Sequence, residues 1–279
     1  MSGEIQTERI GFLNRNIVRH CGGAQTAATD QVAEEWPVAL VFNGISHAVM
    51  MVTPRDLEEF AVGFALTEGI VSTRSDIFSI DIAWHANSAE IELRIAQEAF
   101  MHMKDKRRTL AGRTGCGVCG IESLALLDLK PEKYTTPPID FDLAPAIERA
   151  AGELSRHQLL MRETGGVHAA AWCDTRGAIV KVFEDVGRHN GLDKLIGYLA
   201  LQEVDMGRGF VFLSSRASYE LARKAARMHI PLLATISAPS TLAIDIARQA
   251  GLKLASFCRR DGFVEYTAFE ISTAVLQST

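Results

Sequence analysis

Between residues 179 and 267 short apolar runs alternate with helix-length stretches, and this alternation limits the fold more than any other feature of the chain. Ile179 to Phe183 reads as a strand, about His189 to Leu199 as a helix, and Phe210 to Leu213 as a strand. A helix over about Ser218 to Met228, a strand at Pro231 to Ile236 and a helix over about Thr241 to Ala250 follow. Strands at Leu252 to Cys258 and Val264 to Thr267 close the series. Strands joined through helices lie parallel, and a parallel sheet is covered on both faces. The expected fold class for this half is α/β. Leu143, Ile147, Ala150 and Leu154 add a helical stripe ahead of it. No internal repeat or low-complexity tract is visible.

The first half reads differently. Residues 1–35 form a polar lead-in with no clear period. Val38 to Phe42 and Ile45 to Val52 then flank Asn43-Gly44, a strong hairpin signal. Thr53 suits an N-cap and Pro54 the first helical position, Leu57, Phe60, Ala61, Phe64 and Ala65 share one face, and Gly69 stops the helix. Ile80 to Trp84 and Ile91 to Ile95 read as a second strand pair. Met101 to Arg108 is basic and lacks a sustained apolar period, which fits either a solvated surface or an anion-facing segment. Pro131, Pro137 and Pro138 mark a linker. The expected organisation is a lead-in at 1–35 and a smaller α+β domain at 36–130 that ends in a mobile glycine-rich loop. A linker at 131–140 and an α/β domain at 141–279 follow.

Composition narrows the function. Over 279 residues, 47% are apolar and 23% charged, as in ordinary globular chains. A net charge of −5 argues against a dedicated nucleic-acid binder. The N-terminus lacks the apolar core of a secretory signal, and no apolar run approaches bilayer length, so a cytoplasmic protein without a membrane partner is expected. The five cysteines, an odd number, do not suggest a disulfide scaffold.

Cys21, Cys173 and Cys258 need no chemical role, because a buried free cysteine packs as a small hydrophobe. The pair Cys116 and Cys119 lies within Gly112-Arg113-Thr114-Gly115-Cys116-Gly117-Val118-Cys119-Gly120. The glycines free the backbone to bring a thiol to a partner, and Arg113 favours the thiolate. Three readings compete. A structural zinc site needs four ligands, and the usual second pair is missing. A thioredoxin-like redox pair needs a βαβ setting around the motif, which is absent. A persulfide-carrying or sulfur-transferring cysteine suits the basic, glycine-rich setting better. No resident metal is expected.

The segment from Gly112 to Glu122 closely resembles the signature of the FdhD family, the formate dehydrogenase accessory sulfurtransferases. Pro37 to Gly44, Phe64 to Gly69, Thr164 to Ala170, Glu184 to Asn190, and Ser214-Ser215-Arg216 resemble further blocks of that family in the same order. The resemblance implies a cytidine-deaminase-like, three-layer C-terminal domain and a homodimer. It also implies a job: sulfur is taken from a cysteine desulfurase as a persulfide and passed to Mo-bis(molybdopterin guanine dinucleotide), the cofactor of formate dehydrogenase. Carried over, Cys116 is the persulfide carrier and Cys119 its companion. A non-catalytic chaperone that shields the same cofactor is the alternative.

The family binds the guanine nucleotide of that cofactor near a segment corresponding to Phe257, Cys258, Arg259, Arg260, Asp261 and Gly262. Such a position follows a strand end, where open α/β sheets hold ligands, and two guanidinium groups suit phosphate. Many members have Gly-Arg where this chain has Asp261-Gly262. Ser214-Ser215-Arg216 and the matching Ser237 and Thr241 occupy strand-to-helix turns that would line the same crevice. Ser218 competes with them as a helix cap. Arg188-His189 beside Glu184-Asp185 fits either a ligand-facing cluster or a capped helix start, and His168 reads as a structural histidine in a glycine-flanked turn. The His-x-Glu and Pro-Cys-x-x-Cys pattern of zinc deaminases is absent, so deamination is not expected.

Overall fold

The computed structural model describes residues 10–110 and 139–268, with the side chains of 106–110 excepted. Two compact units account for them. The first comprises residues 10–110, 156–170 and 182–204; the second comprises 139–155, 171–181 and 205–268. The chain therefore returns twice to the first unit after leaving it, whereas the sequence suggested two successive domains.

In the first unit, β1 (Phe12–Cys21) and β2 (Ala24–Ala33) form an antiparallel hairpin with unbroken register from Phe12↔Ala33 to Cys21↔Ala24. This replaces the expected lead-in. Its turn, Gly22-Gly23, has φ of 56° and 82°, the doubly positive pair that matches strand twist in a two-residue hairpin. Both faces of the ribbon are largely exposed, so neither strand needed an alternating pattern, and none marked them in the sequence.

A four-stranded sheet follows, built from β3 (Trp36–Phe42), β4 (Ile45–Val52), β5 (Ile77–Trp84) and β6 (Ala89–Ile95) in the order β4-β3-β6-β5. Only the β3–β6 pair is parallel. Asn43 and Gly44, with φ of 46° and 78°, make the β3–β4 turn as the sequence suggests. Val38, Leu40, Phe42, Ile91 and Leu93 are buried on the sheet. Helix α1 (Leu57–Thr67) starts later than expected: Asp56, with φ 53°, occupies the cap position, and Thr53 caps nothing. Gly69, in the left-handed region, ends it by donating to the Leu66 carbonyl. The basic segment near residue 101 is helical, within α2 (Gln97–Leu110); among its described side chains Phe100 and Met103 are buried, too few to show as a period.

Helix α1 is buried on nearly all sides, and so is α5 (Arg188–Leu201). A Cβ on Gly63 would collide with the backbone of Asp193, and one on Gly197 with the backbone of Glu59. The two helices pass at glycine distance, so α5 belongs to this unit. The short α4 (Leu159–Thr164) completes it, ended by Gly165 in the left-handed region.

The second unit contains α3 (Leu143–His157) to residue 155, then β9 (Phe210–Leu213), α6 (Tyr219–Arg227), β10 (Leu232–Thr235), α7 (Thr241–Ala250), β11 (Lys253–Arg259) and β12 (Gly262–Glu265). Strands β9, β10 and β11 are parallel, and β12 is an antiparallel edge. The sheet order is β12-β11-β10-β9-β7-β8, where β7 (His168–Cys173) and β8 (Ile179–Asp185) are strands whose residues are divided between the units. The predicted alternation of strand and helix is present, with β7 added to it. A repeat the sequence concealed is also present: β9 and β10 begin 22 residues apart, at Phe210 and Leu232, and α6 and α7 do the same, at Tyr219 and Thr241.

Candidate functional site

Cys116 and Cys119 lie outside the described residues. Two other cysteines are disqualified as nucleophiles. Cys173 is fully buried; burial, then the charges of Asp174 and Glu153, push its thiol far up. Cys258 is buried as well, and burial pushes its thiol up to about 11. Neither offers a thiolate near neutral pH, the form that reacts. Cys21 is exposed, at the end of β1 beside the Gly22-Gly23 turn.

The carboxyl ends of the parallel strands in the second unit gather most of the other predicted site residues. Strand β9 runs into Ser214-Ser215-Arg216, β10 into Ile236-Ser237, and β11 into Arg259-Arg260. The first two turns are tied by Ser237 N–H on the Ser215 carbonyl, Ser240 N–H on the Ala217 carbonyl, and an isolated parallel bridge between Ala217 and Pro239. Ser218 takes the N-cap position of α6, and Ser240 caps α7 by accepting from Ala243 N–H, with Thr241 the first residue of that helix. Arg216 is exposed, while Ser215 is buried and its hydroxyl donates to the Arg216 carbonyl.

The segment 257–262 divides by residue. A bulge lies between Ser256 and Arg259, and Phe257 at φ 56° turns outward to 44% exposure. Cys258 points into the core. Arg259 Nη1 donates to the carbonyls of Ile236 and Cys258, which holds the exposed guanidinium against the end of β10. Arg260 Nη2 donates to the Gly152 carbonyl of α3. Arg260 and Asp261 form the two-residue turn into β12, where Gly262, at φ 151°, pairs with Arg259. Beneath this edge Thr235 and Ser256 share a 2.7 Å hydrogen bond. Thr235 donates its single hydroxyl proton to the Ser237 carbonyl, so Ser256 is the donor to Thr235. Phe257 and Arg259 expose an apolar face and a cation, whereas Cys258 exposes nothing.

In the first unit the motif Glu184 to Asn190 is mostly structural. The Asp185 carboxylate pairs with Lys194 Nζ at 2.7 Å, both side chains wholly buried. It also accepts from the N–H groups of Thr53 (3.0 Å) and Gly187 (2.8 Å) and from Asn190 Nδ2 (2.9 Å). Lys194 donates a second bond to the Thr53 carbonyl, Val186 N–H donates to Thr53 Oγ1, and Asn190 reaches the Met51 carbonyl. This network fastens the end of β4 to β8 and α5. Glu184 accepts from Leu160 and Met161 N–H and so caps α4. Thr53, Asn190 and Lys194 were not singled out as partners from sequence; a lysine in the middle of an apolar helix, Lys194, was the available signal.

His168 begins β7 rather than lying in a turn. Its imidazole is held below the usual histidine range by burial first, then by the charges of Arg188 and His189, with Asp185 opposing them. Among the described residues no group of three metal-ligating side chains occurs, and no helix is long and apolar enough to cross a membrane.

Comparison with known proteins adds relatives over almost the whole length. The FdhD/NarQ family model matches residues 33–272. The chain is 63% identical over 270 residues to the sulfur carrier protein FdhD of Chromobacterium violaceum, covering 96% of this chain and 99% of that one. It is 61% identical over 271 residues to the protein of the same name from Burkholderia mallei, with 95% and 99% covered. The relative in Acinetobacter baylyi is 49% identical over 265 residues, with 94% and 95% covered. Among solved structures, a protein described as a formate dehydrogenase accessory protein from Desulfotalea psychrophila shares the fold. Its TM-score is 0.71 at 23% identity, over 93% of this chain and 98% of that one.

Proposed function

The chain belongs to the FdhD/NarQ family, and on that premise we propose that it is a sulfur carrier whose Cys116 accepts sulfur as a persulfide. The donor is a cysteine desulfurase carrying its own persulfide. The Cys116 thiolate attacks the terminal sulfur, a new S–S bond forms, and the donor leaves as a thiolate; no external oxidant or reductant enters. The acceptor is Mo-bis(molybdopterin guanine dinucleotide), destined for formate dehydrogenase, and Cys119 is the companion thiol. The observation that carries this reading is the Gly112–Gly120 motif in a chain 63% identical to a protein named a sulfur carrier. The burial of Cys173 and Cys258 supports it, because it removes two of five cysteines as rivals.

The guanine nucleotide is the part of the acceptor that Phe257, Arg259 and Arg260 would hold, with Ser237 and Arg216 on the neighbouring turns. Stacking on Phe257 and a guanidinium at a phosphate are the two interactions those side chains offer. The cytidine-deaminase-like ascription and the homodimer belong to the same reading. The first is supported by the parallel run β9-β10-β11 with its intervening helices.

Intact mass after incubation with a desulfurase and cysteine tests the sulfur step. A gain of one sulfur atom that thiol reductant removes, lost in Cys116→Ala and kept in Cys258→Ala, is expected. Protein that never gains sulfur while still binding GDP points instead to the cofactor-shielding chaperone.

A further inference from the structure

Among the described residues the hairpin β1–β2 is a ribbon with no third strand on either edge. Such a ribbon is marginal by itself in water unless another element covers it. Its base is covered: a Cβ on Gly11 would lie 3.5 Å from Leu160 Cδ2 of α4, and a Cβ on Gly166 would lie 3.8 Å from Ala33 Cβ. Beyond the base, among the described residues, the side chains of Arg15, Arg19 and Asp30 make no ion pair or hydrogen bond. Register and strand alternation put Leu13, Arg15, Ile17 and Arg19 on one face, with Val32 across from Leu13 and Asp30 across from Arg15. Leu13 and Val32 are 42% and 45% exposed, and both arginines are exposed. This face is apolar and, with two cations to one anion, net positive.

The four-stranded sheet of the same unit carries a face of the opposite sign. The residues that alternate with its buried Val38, Leu40, Ile91 and Leu93 form an outer face. On β3 and β4 that face is apolar: Val49 and Met51 are exposed, across from Ala39 and Pro37. On β5 and β6 it is acidic: Asp81 stands directly opposite Glu92, and Glu90 lies on the same side. Like charges directly opposite one another destabilise a strand pair. Among the described residues Asp81, Glu90 and Glu92 make no ion pair, not even with Arg94 on the same face of β6. The sheet face thus has acids without a cation, and the ribbon has cations to spare.

We infer that the β1–β2 ribbon of one copy of this chain lies on the outer sheet face of a second copy, and the second copy's ribbon on the first. Leu13, Ile17 and Val32 cover Val49 and Met51, while Arg15 and Arg19 meet Asp81, Glu90 and Glu92. A two-fold axis makes the two contacts identical, as in a closed dimer. Size favours exchange over a single contact. A ribbon of two 10-residue strands offers one face of about 33 by 10 Å, or about 330 Å². Two reciprocal contacts, counted on both copies, bury about 1,300 Å², above the roughly 1,000 Å² of a specific interface, and one contact falls short of it. The inference rests on the homodimer of the preceding reading and assigns that dimer a surface; it is independent of sulfur transfer at Cys116.

The test is sedimentation equilibrium of the full chain, which is expected to show a dimer that weakens as salt rises. Two charge-reversed variants are compared with it, Arg15→Glu/Arg19→Glu on the ribbon and Glu90→Lys/Glu92→Lys on the sheet. Each is expected to raise the dimer Kd about tenfold or more. Mixed in equal amounts, the two variants match opposite charges in both exchanged contacts, so the mixture is expected to recover the parent affinity. Recovery on mixing also shows that both variants fold. If either variant does not fold, Val49→Lys, a change at an exposed position, is expected to weaken the dimer instead. A dimer that no folded variant weakens overturns this surface and leaves the homodimer standing. A chain that stays monomeric at high micromolar concentration overturns both. Folded, weakened charge variants that do not recover on mixing overturn the pairing of ribbon with sheet.

Discussion

Asp185 and Lys194 meet at 2.7 Å with neither side chain reaching solvent, and among the described residues their other side-chain bonds end on Thr53, Gly187 and Asn190. A charge in that position is tolerable only because its partner is there. Lys194→Met is therefore expected to cost about 3–5 kcal/mol, since it leaves the Asp185 carboxylate buried without a cation. Asp185→Asn combined with Lys194→Met should recover part of that loss. Urea unfolding of the two single variants and the double variant measures the coupling; additive losses would show that the pair does not act as a unit.

Gly63 and Gly197 face backbone atoms of the opposing helix, so no rotamer change can relieve an added methyl group. Gly63→Ala and Gly197→Ala are each expected to destabilise by about 3 kcal/mol, although alanine is the better helix former. Thermal unfolding reads this out. A stabilised Gly63→Ala would mean that α1 and α5 are farther apart than the structure has them.

Within 257–262 the structure separates exposed side chains from packed ones. Arg259→Ala and Phe257→Ala remove exposed groups, and each is expected to weaken GDP binding about tenfold while costing less than about 1 kcal/mol of stability. Cys258→Ala should leave GDP affinity unchanged and lower stability by about 1 kcal/mol, because it empties a core position. Calorimetric titration beside a denaturant melt distinguishes the two patterns.

The same cysteine predicts a pH dependence. Its thiol ionises at about 11 in the folded protein against 9.0 in an unfolded chain. Between those values the unfolded state loses its proton first, so stability is full below pH 9 and declines as pH rises toward 11. The decline attributable to Cys258 is on the order of 2–3 kcal/mol. Denaturation midpoints at pH 8 and pH 10.5 should differ by less in Cys258→Ala than in the parent chain, with Cys173 contributing the remaining slope in the same direction.

Gly22 and Gly23 both adopt positive φ with open space around them, so backbone conformation alone constrains them. Gly22→Val should open the hairpin locally, at a cost of about 1–2 kcal/mol. Hydrogen exchange of the β1 and β2 amides is the direct measure; Gly22→Asn, which tolerates the left-handed region, should be nearly neutral.

Elements with one buried face could be read directly. The strands and helices from β8 to β12 fell where apolar runs and periodicity placed them, because a covered sheet imprints its burial on the sequence. Elements with no contrast between faces could not be read in that way. The hairpin β1–β2 is exposed on both sides, and α2 buries only Phe100 and Met103 of its described side chains, so neither carried a period.

By itself the sequence determined the class of fold, the FdhD/NarQ kinship carried by Gly112–Glu122 and its companion blocks, and the nomination of Cys116. Only the tertiary structure decided that α5 packs with α1, that Thr53 serves Asp185 instead of capping a helix, and that Cys258 faces the core while Arg259 faces the strand ends. The physical reason is the same in each case. Local patterns report whether a residue is buried, whereas the identity of its partner depends on which distant segment the chain brings against it. Thr53 and Asp185 are far apart in sequence, and no window short enough to show a period contains both.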